Sequence, residues 1–251
     1  AELTKNARLA LRWNPPATVI SIAQPDDAGP PIRCECEACA AVEQEGNPSE
    51  LVIRFVNAVA ADLHEQFPDV AVSTLAYHYS QKPPKKTRPH PNVLVRLSSI
   101  KCSFSRPVTD KRNAQFRADL EGWSKMCERL YLWDYPINFG YPLPHPNLRS
   151  YAPNLRYYTE HNVKAMFCEA SAFAELAELR AWLLAKLMWN PNAEANHLIE
   201  TFTNGYYGPA GPHIVDYIQL THNAVEATDD FLGLGSRPDA KFLSLETLTR
   251  G

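Results

Sequence analysis

Short apolar runs rich in β-branched residues alternate along this chain with longer stretches in which apolar residues recur every three or four positions. The first run, Ala17 to Gln24 (ATVISIAQ), is near-continuously apolar and predicts a strand buried on both faces. A loop rich in Asp, Gly, Pro and Cys is expected next. Asn47-Pro48-Ser49-Glu50 then supplies an N-cap, a proline at the first helical position and a Glu three residues after the cap, the capping-box arrangement. Behind it, Val52, Phe55, Val56, Val59 and Leu63 stand at helical spacing and predict an amphipathic helix.

The unit repeats. Val70 to Tyr77 reads as a strand, Lys82 to Pro91 as a basic, proline-rich loop, and Asn92 to Ser99 as a strand. Asn113 to Met126 is helical, Arg129 to Tyr135 a strand, and Asn147 to Glu160 helical despite Pro153. Val163 to Cys168 gives a last strand, and Phe173 to Trp189 a helix with Leu176, Leu179, Leu183 and Leu187 on one face. The stretch from Asn196 to Leu232 is helical too, broken at Gly205-Tyr206-Tyr207-Gly208-Pro209. Five strands alternating with helices predict parallel pairing with right-handed crossovers, an α/β class. Five βα units do not close an eight-stranded barrel, so the pattern fits an open sheet or the C-terminal portion of a barrel. We therefore expect one partial domain over residues 1–251, with βα units at 17–190 and C-terminal helices at 196–232.

Composition narrows the function classes. The 251 residues are 45% hydrophobic with a net charge of −3, enough apolar content for a sizeable core and no field strong enough to recruit nucleic acid or an anionic membrane. No apolar run reaches the roughly 18 residues needed to span a bilayer. The N-terminus Ala1-Glu2-Leu3-Thr4 has neither an initiator Met nor a signal h-region, as expected of a mature form or a cut piece. The run Lys82 to Arg88 is basic without interleaved aromatics and reads as a solvated loop.

In either α/β architecture, chemistry collects at the C-terminal ends of the strands. Those ends carry Gln24-Pro25-Asp26-Asp27, Tyr77-His78-Tyr79, Ser99-Ile100-Lys101, Trp133-Asp134-Tyr135 and Cys168-Glu169. Carboxylates beside aromatic rings suit a glycan site, where one group protonates the leaving oxygen, another stabilises an oxocarbenium-like centre, and rings stack on sugar faces. The same residues also fit caps, loop charges and core rings. Arg96, projecting from a strand, suits a sugar contact or a core ion pair.

Seven segments in order, Ser21 to Asp26, Cys34 to Cys39, Arg54 to Asn57, Thr74 to Tyr77, Trp133 to Tyr135, Glu178 to Arg180 and Asn204 to Ala210, resemble glycoside hydrolase family 163 over roughly Ala17 to Val225. The resemblance implies a (β/α)8 barrel whose earlier strands precede Ser21, and endo-β-N-acetylglucosaminidase action on complex N-glycans. It also implies a retaining mechanism, in which the substrate's 2-acetamido oxygen attacks the anomeric carbon, and a secreted or periplasmic location. Asp26 matches the family's strand-end Asp. Asp27 stands where the family has Asn, Lys101 where it has Glu, and Cys168 where it has Glu, with Glu169 next in the chain. The expected catalytic carboxylates are Asp26, Glu169 and Asp134, and the substrate-binding set is Gln24, Tyr77, Arg96, Lys101, Trp133 and Tyr135. No cofactor is expected. The expected partner is a glycan, and an apolar flank left by missing strands would favour self-association.

Lys101 and Cys168 keep open a second reading, a glycan-binding relative with impaired catalysis. A third comes from Cys34, Cys36 and Cys39, whose C-x-C-x2-C spacing offers three soft ligands that His78, Cys102 or Cys168 would complete as a zinc site. A disulfide or reduced loop thiols fit that spacing as well.

Overall fold

The structure is a computed structural model that describes residues 2–25, 33–140, 144–170 and 174–250. Five strands form one parallel sheet in sequence order: β1 (Val19–Ser21), β2 (Ala71–Ala76), β3 (Val93–Ser98), β4 (Leu130–Asp134) and β5 (Val163–Cys168). Ser21 is in register with Ser73, and Leu75 with Arg96. This is the order and direction of five consecutive βα units of a barrel, as the alternation predicts. The chain forms two compact units: Ala1–Ser98 with Ala118–Leu132 and Asn162–Met166, and Ser99–Arg117 with Trp133–His161 and Phe167–Gly251.

The first unit is built on α1 (Glu2–Trp13), α2 (Glu37–Glu45) and α3 (Ser49–His64). Helix α3 buries Ile53, Val56, Val59, Ala60 and Leu63 and packs against β2 and β3, whose Val72, Val95 and Leu97 are fully enclosed. The buried stripe differs from the one predicted at two places: Ile53 and Ala60 are in the core, whereas Val52 is half buried and Phe55 is exposed. Helix α1, which no sequence signal announced, buries Ala7 and Leu11 and is tied to α3 by Arg8, which donates to Asp62 at 2.6 Å.

Three expectations change here. The strand at Ala17 to Gln24 is shorter than its apolar run and not buried on both faces: only Val19–Ser21 pairs, and Val19 and Ser21 are exposed. The reason is its place at the end of the sheet, with one neighbour instead of two. The loop after it contains α2. The capping box is absent as well: Asn47 Oδ1 accepts from the Ser49 amide at 3.1 Å, and Glu50, completely buried, accepts instead from the amides of Lys86 at 2.7 Å and Thr87 at 3.1 Å.

The second unit holds α5 (Leu148–Glu160), α6 (Ala177–Trp189), α7 (Ala195–Tyr207), α8 (Gly211–Glu226) and α9 (Leu245–Arg250); α4 (Ala114–Ser124) is shared between the two. Leu179, Leu183 and Leu187 are fully buried as expected, whereas Leu176 precedes α6 in a left-handed conformation, φ +50°. The predicted break between α7 and α8 falls at Gly208, φ +57°, followed by a short 3-10 turn. No helix among the described residues is long and apolar enough to cross a membrane.

Candidate functional site

Parallel strands alternate their side chains between two sides, and β4 shows which side is covered. Leu130, Leu132 and Asp134 are buried, while Tyr131 and Trp133 between them are half buried. Asp134 therefore shares the leucine side. Its Oδ1 accepts from the Ser99 hydroxyl, and burial pushes its carboxyl above the usual range against the opposing pull of Ser99 and the Tyr135 amide. Cys168 is also raised, first by burial and then by the Asp134 charge. The Ser99 amide donates to Trp133 O at 3.0 Å and the Glu169 amide to Asp134 O at 2.8 Å, so the strand ends are held in register.

Trp133 and Glu169 meet instead on the other side. The indole N–H of Trp133 donates to Glu169 Oε2 at 2.7 Å, and the Phe167 ring lies 4.6 Å from the Trp133 ring at an angle of 59°. Phe167 is 43% exposed and Glu169 half buried, so a carboxylate held by an indole and flanked by a ring faces accessible space. Trp133 and Glu169 are thus two of the predicted residues that the second unit brings together through their side chains. Tyr135 is buried, 6.5 Å from the Phe104 ring and 6.0 Å from that of Phe139, as part of the core. Lys101 is exposed beyond the end of β3.

In the first unit, Gln24 Nε2 donates to Ser80 Oγ at 2.9 Å and to Tyr77 O at 3.5 Å, and its Oε1 is buried without a partner. The Tyr77 ring lies 3.9 Å from that of His78 at an angle of 53°, and the His78 φ of +48° turns the chain into a 3-10 turn. Arg96 Nη2 donates to Ser21 Oγ at 2.7 Å, and burial lowers its pKa. Asp26 lies outside the described residues. Cys34, Cys36 and Cys39 come together, all three sulfurs within 4.8 Å of one another, without His78, Cys102 or Cys168.

Sequence reasoning missed a support for the loops that follow β4 and β5. Arg180 is buried on α6, pairs with Glu175 Oε2 at 3.0 Å, and donates to His145 O at 2.7 Å, Tyr151 Oη at 3.3 Å and Asn147 Oδ1. Glu175 Oε1 accepts in turn from the Tyr217 hydroxyl. The signal was present: an arginine beside Leu179, within a leucine stripe, has to find fixed partners once buried. His145 is buried below it with both ring nitrogens unpartnered, and burial, with the Arg180 charge adding, lowers its pKa well below the usual histidine value.

Residues 2–219 match the family described as a domain of unknown function, DUF4838. The chain belongs to that family. No curated protein and no solved structure matches it.

Proposed function

We propose that this member of the DUF4838 family acts on glycans containing β-linked N-acetylglucosamine, with Glu169 as the general acid and then base. The observation that carries the reading is the Trp133 indole held 2.7 Å from Glu169 Oε2 on the accessible side of the strand ends. A carboxylate anchored through one oxygen presents the other in a fixed direction, which is what proton delivery to a leaving glycosidic oxygen requires. Trp133 and Phe167 offer apolar surface to a sugar face. In the substrate-assisted scheme the acetamido oxygen attacks the anomeric carbon while Glu169 protonates the leaving oxygen; when water opens the cyclic intermediate, Glu169 as carboxylate takes a proton from that water and regains its acid form. Asp134, on the buried side, has a structural role in this reading.

The test is hydrolysis of a complex N-glycan by the wild type, Glu169→Gln and Asp134→Asn. Glu169→Gln should lower kcat on the order of 10²–10⁴-fold with glycan affinity kept, and Asp134→Asn should retain turnover. Full activity in Glu169→Gln removes the proposal. Exposure of Lys101, where the resemblance places a carboxylate, favours a second reading: glycan binding without hydrolysis. Under it the wild type binds and does not turn over, and Lys101→Glu gains activity.

A further inference from the structure

The cysteine group lies apart from the proposed catalytic pair and has geometry of its own. Cys34, Cys36 and Cys39 are free thiols, and their sulfurs all fall within 4.8 Å of one another. Three sulfurs on one tetrahedral zinc, each about 2.3 Å from it, stand roughly 3.8 Å apart, so closing this group onto an ion takes about an ångström of side-chain movement. The spacing makes such convergence natural. Cys36 immediately precedes α2 in extended backbone, φ −64° and ψ 158°, and Cys39 lies on the first turn of the helix. The helix N-terminus adds amide N–H groups that favour a thiolate. A disulfide would use two of the three thiols and leave one over.

The surroundings supply what a three-thiolate ion lacks. Cys34 and Cys39 line a cavity of about 480 Å³ together with Arg33, Glu43, Phe55 and Tyr79. Glu43 is one helical turn beyond Cys39; its Oε2 pairs with Arg33 at 3.3 Å, and its Oε1 is buried without a partner. Three thiolates and a divalent ion carry one net negative charge, and Arg33 at the cavity wall offsets the charge of the neighbouring Glu43 carboxylate.

We propose that Cys34, Cys36 and Cys39 bind one zinc ion as thiolates, with the fourth position turned to this cavity and supported by Glu43. The ion pins the connection between β1 and α3. Because it binds the folded chain, it raises stability by mass action.

The experiment uses the full chain purified under reducing conditions without chelator. Elemental analysis should find one zinc per chain, and chelation should lower Tm reversibly. Cobalt replacing zinc in the wild type should give an intense thiolate-to-cobalt charge-transfer band with visible absorption of four-coordinate strength, a reading that needs no variant to fold. Cys36→Ser should lose the stoichiometric ion, and Glu43→Gln should weaken it by roughly 10–100-fold, as removal of a supporting group does. Failure to retain zinc after loading and dialysis, retention of another ion in its place, a cobalt spectrum without thiolate charge transfer, or a disulfide among the three in the native chain would each overturn the proposal. Unchanged affinity in Glu43→Gln would overturn the part assigned to Glu43.

Discussion

Replacing Glu50 with Gln should unfold the first unit's loop anchor, and the size of the effect follows from its two bonds. Glu50 is fully buried, and each carboxylate oxygen accepts one backbone amide of the basic loop, Lys86 at 2.7 Å and Thr87 at 3.1 Å. Burial alone would raise its pKa, but the hydrogen bonds from Thr87 and Lys86 outweigh that and hold the carboxyl below the usual glutamate range. A glutamine keeps the shape and turns one acceptor into a donor. One loop amide is then left buried and unsatisfied, at about 1–3 kcal/mol, and the other loses its charge-assisted partner. The sum is about 3 kcal/mol, a fall in Tm of roughly 6–12 °C for a chain of this size. Because the folded pKa is depressed, this contribution is present above the unfolded value of about 4.3 and is lost as pH falls through the folded one. Differential scanning calorimetry of both proteins at pH 7 and in acid should show the gap at neutrality and its closure below. Glu45→Gln, which touches only the exposed Lys86 ammonium, is the control and should leave Tm nearly unchanged. A Tm within about a degree of the wild type in Glu50→Gln at pH 7 would refute the reasoning.

Other positions give sharper signs than sizes. Asp134→Asn keeps an acceptor for the Ser99 hydroxyl and removes a charge that burial disfavours, so its Tm should equal or exceed that of the wild type at pH 8. The gain should vanish below about pH 4, where unfolded aspartate is protonated too; a clear loss at pH 8 counts against it. His222 accepts from the Leu148 amide at 3.0 Å and is pushed down to about 4, mainly by burial. A histidine lowered in the folded state contributes stability above its unfolded pKa of about 6.5 and loses it as pH falls to the folded value. Urea midpoints should therefore drop between those limits, by the equivalent of about 3 kcal/mol, and His222→Gln should flatten that limb. At Gly211 an added methyl would meet Thr203 O at 2.8 Å and the Asn204 Cα at 2.9 Å. Gly211→Ala should thus cost about 1–3 kcal/mol by forcing α7 and α8 apart, read as a lower denaturant midpoint.

Strands β2 to β5 were legible because each is an apolar run bounded by turn residues, and the register of parallel pairing needs nothing more local than that. What failed was whatever depended on neighbours. Ala17 to Gln24 has the composition of a central strand but lies at the end of the sheet, so Val19 and Ala23 meet solvent while Ile22 is covered. Glu50 carries a capping-box position, yet its partners are thirty-odd residues away in a loop whose prolines and lysines suggested only solvation. Helix α2 was hidden behind cysteines whose chemistry drew attention first, and α1 by a buried stripe of only Thr4, Ala7 and Leu11.

The carboxylates were more legible than they first looked. In Leu130-Tyr131-Leu132-Trp133-Asp134, strand parity alone puts Asp134 with the two leucines, and a leucine side packed by helices is where an acidic group is held rather than offered. The same parity on β5 puts Glu169 with Phe167 and away from Cys168, and Trp133 with neither leucine. The one-residue step from Cys168 to Glu169, which appears as a departure when motifs are aligned, is then a change of side. It moves the carboxylate from the side of Asp134, whose carboxyl burial pushes above the usual range, to the accessible face where an indole can anchor it. Motif alignment compares positions along the chain, whereas chemistry at a strand end depends on which side a position faces.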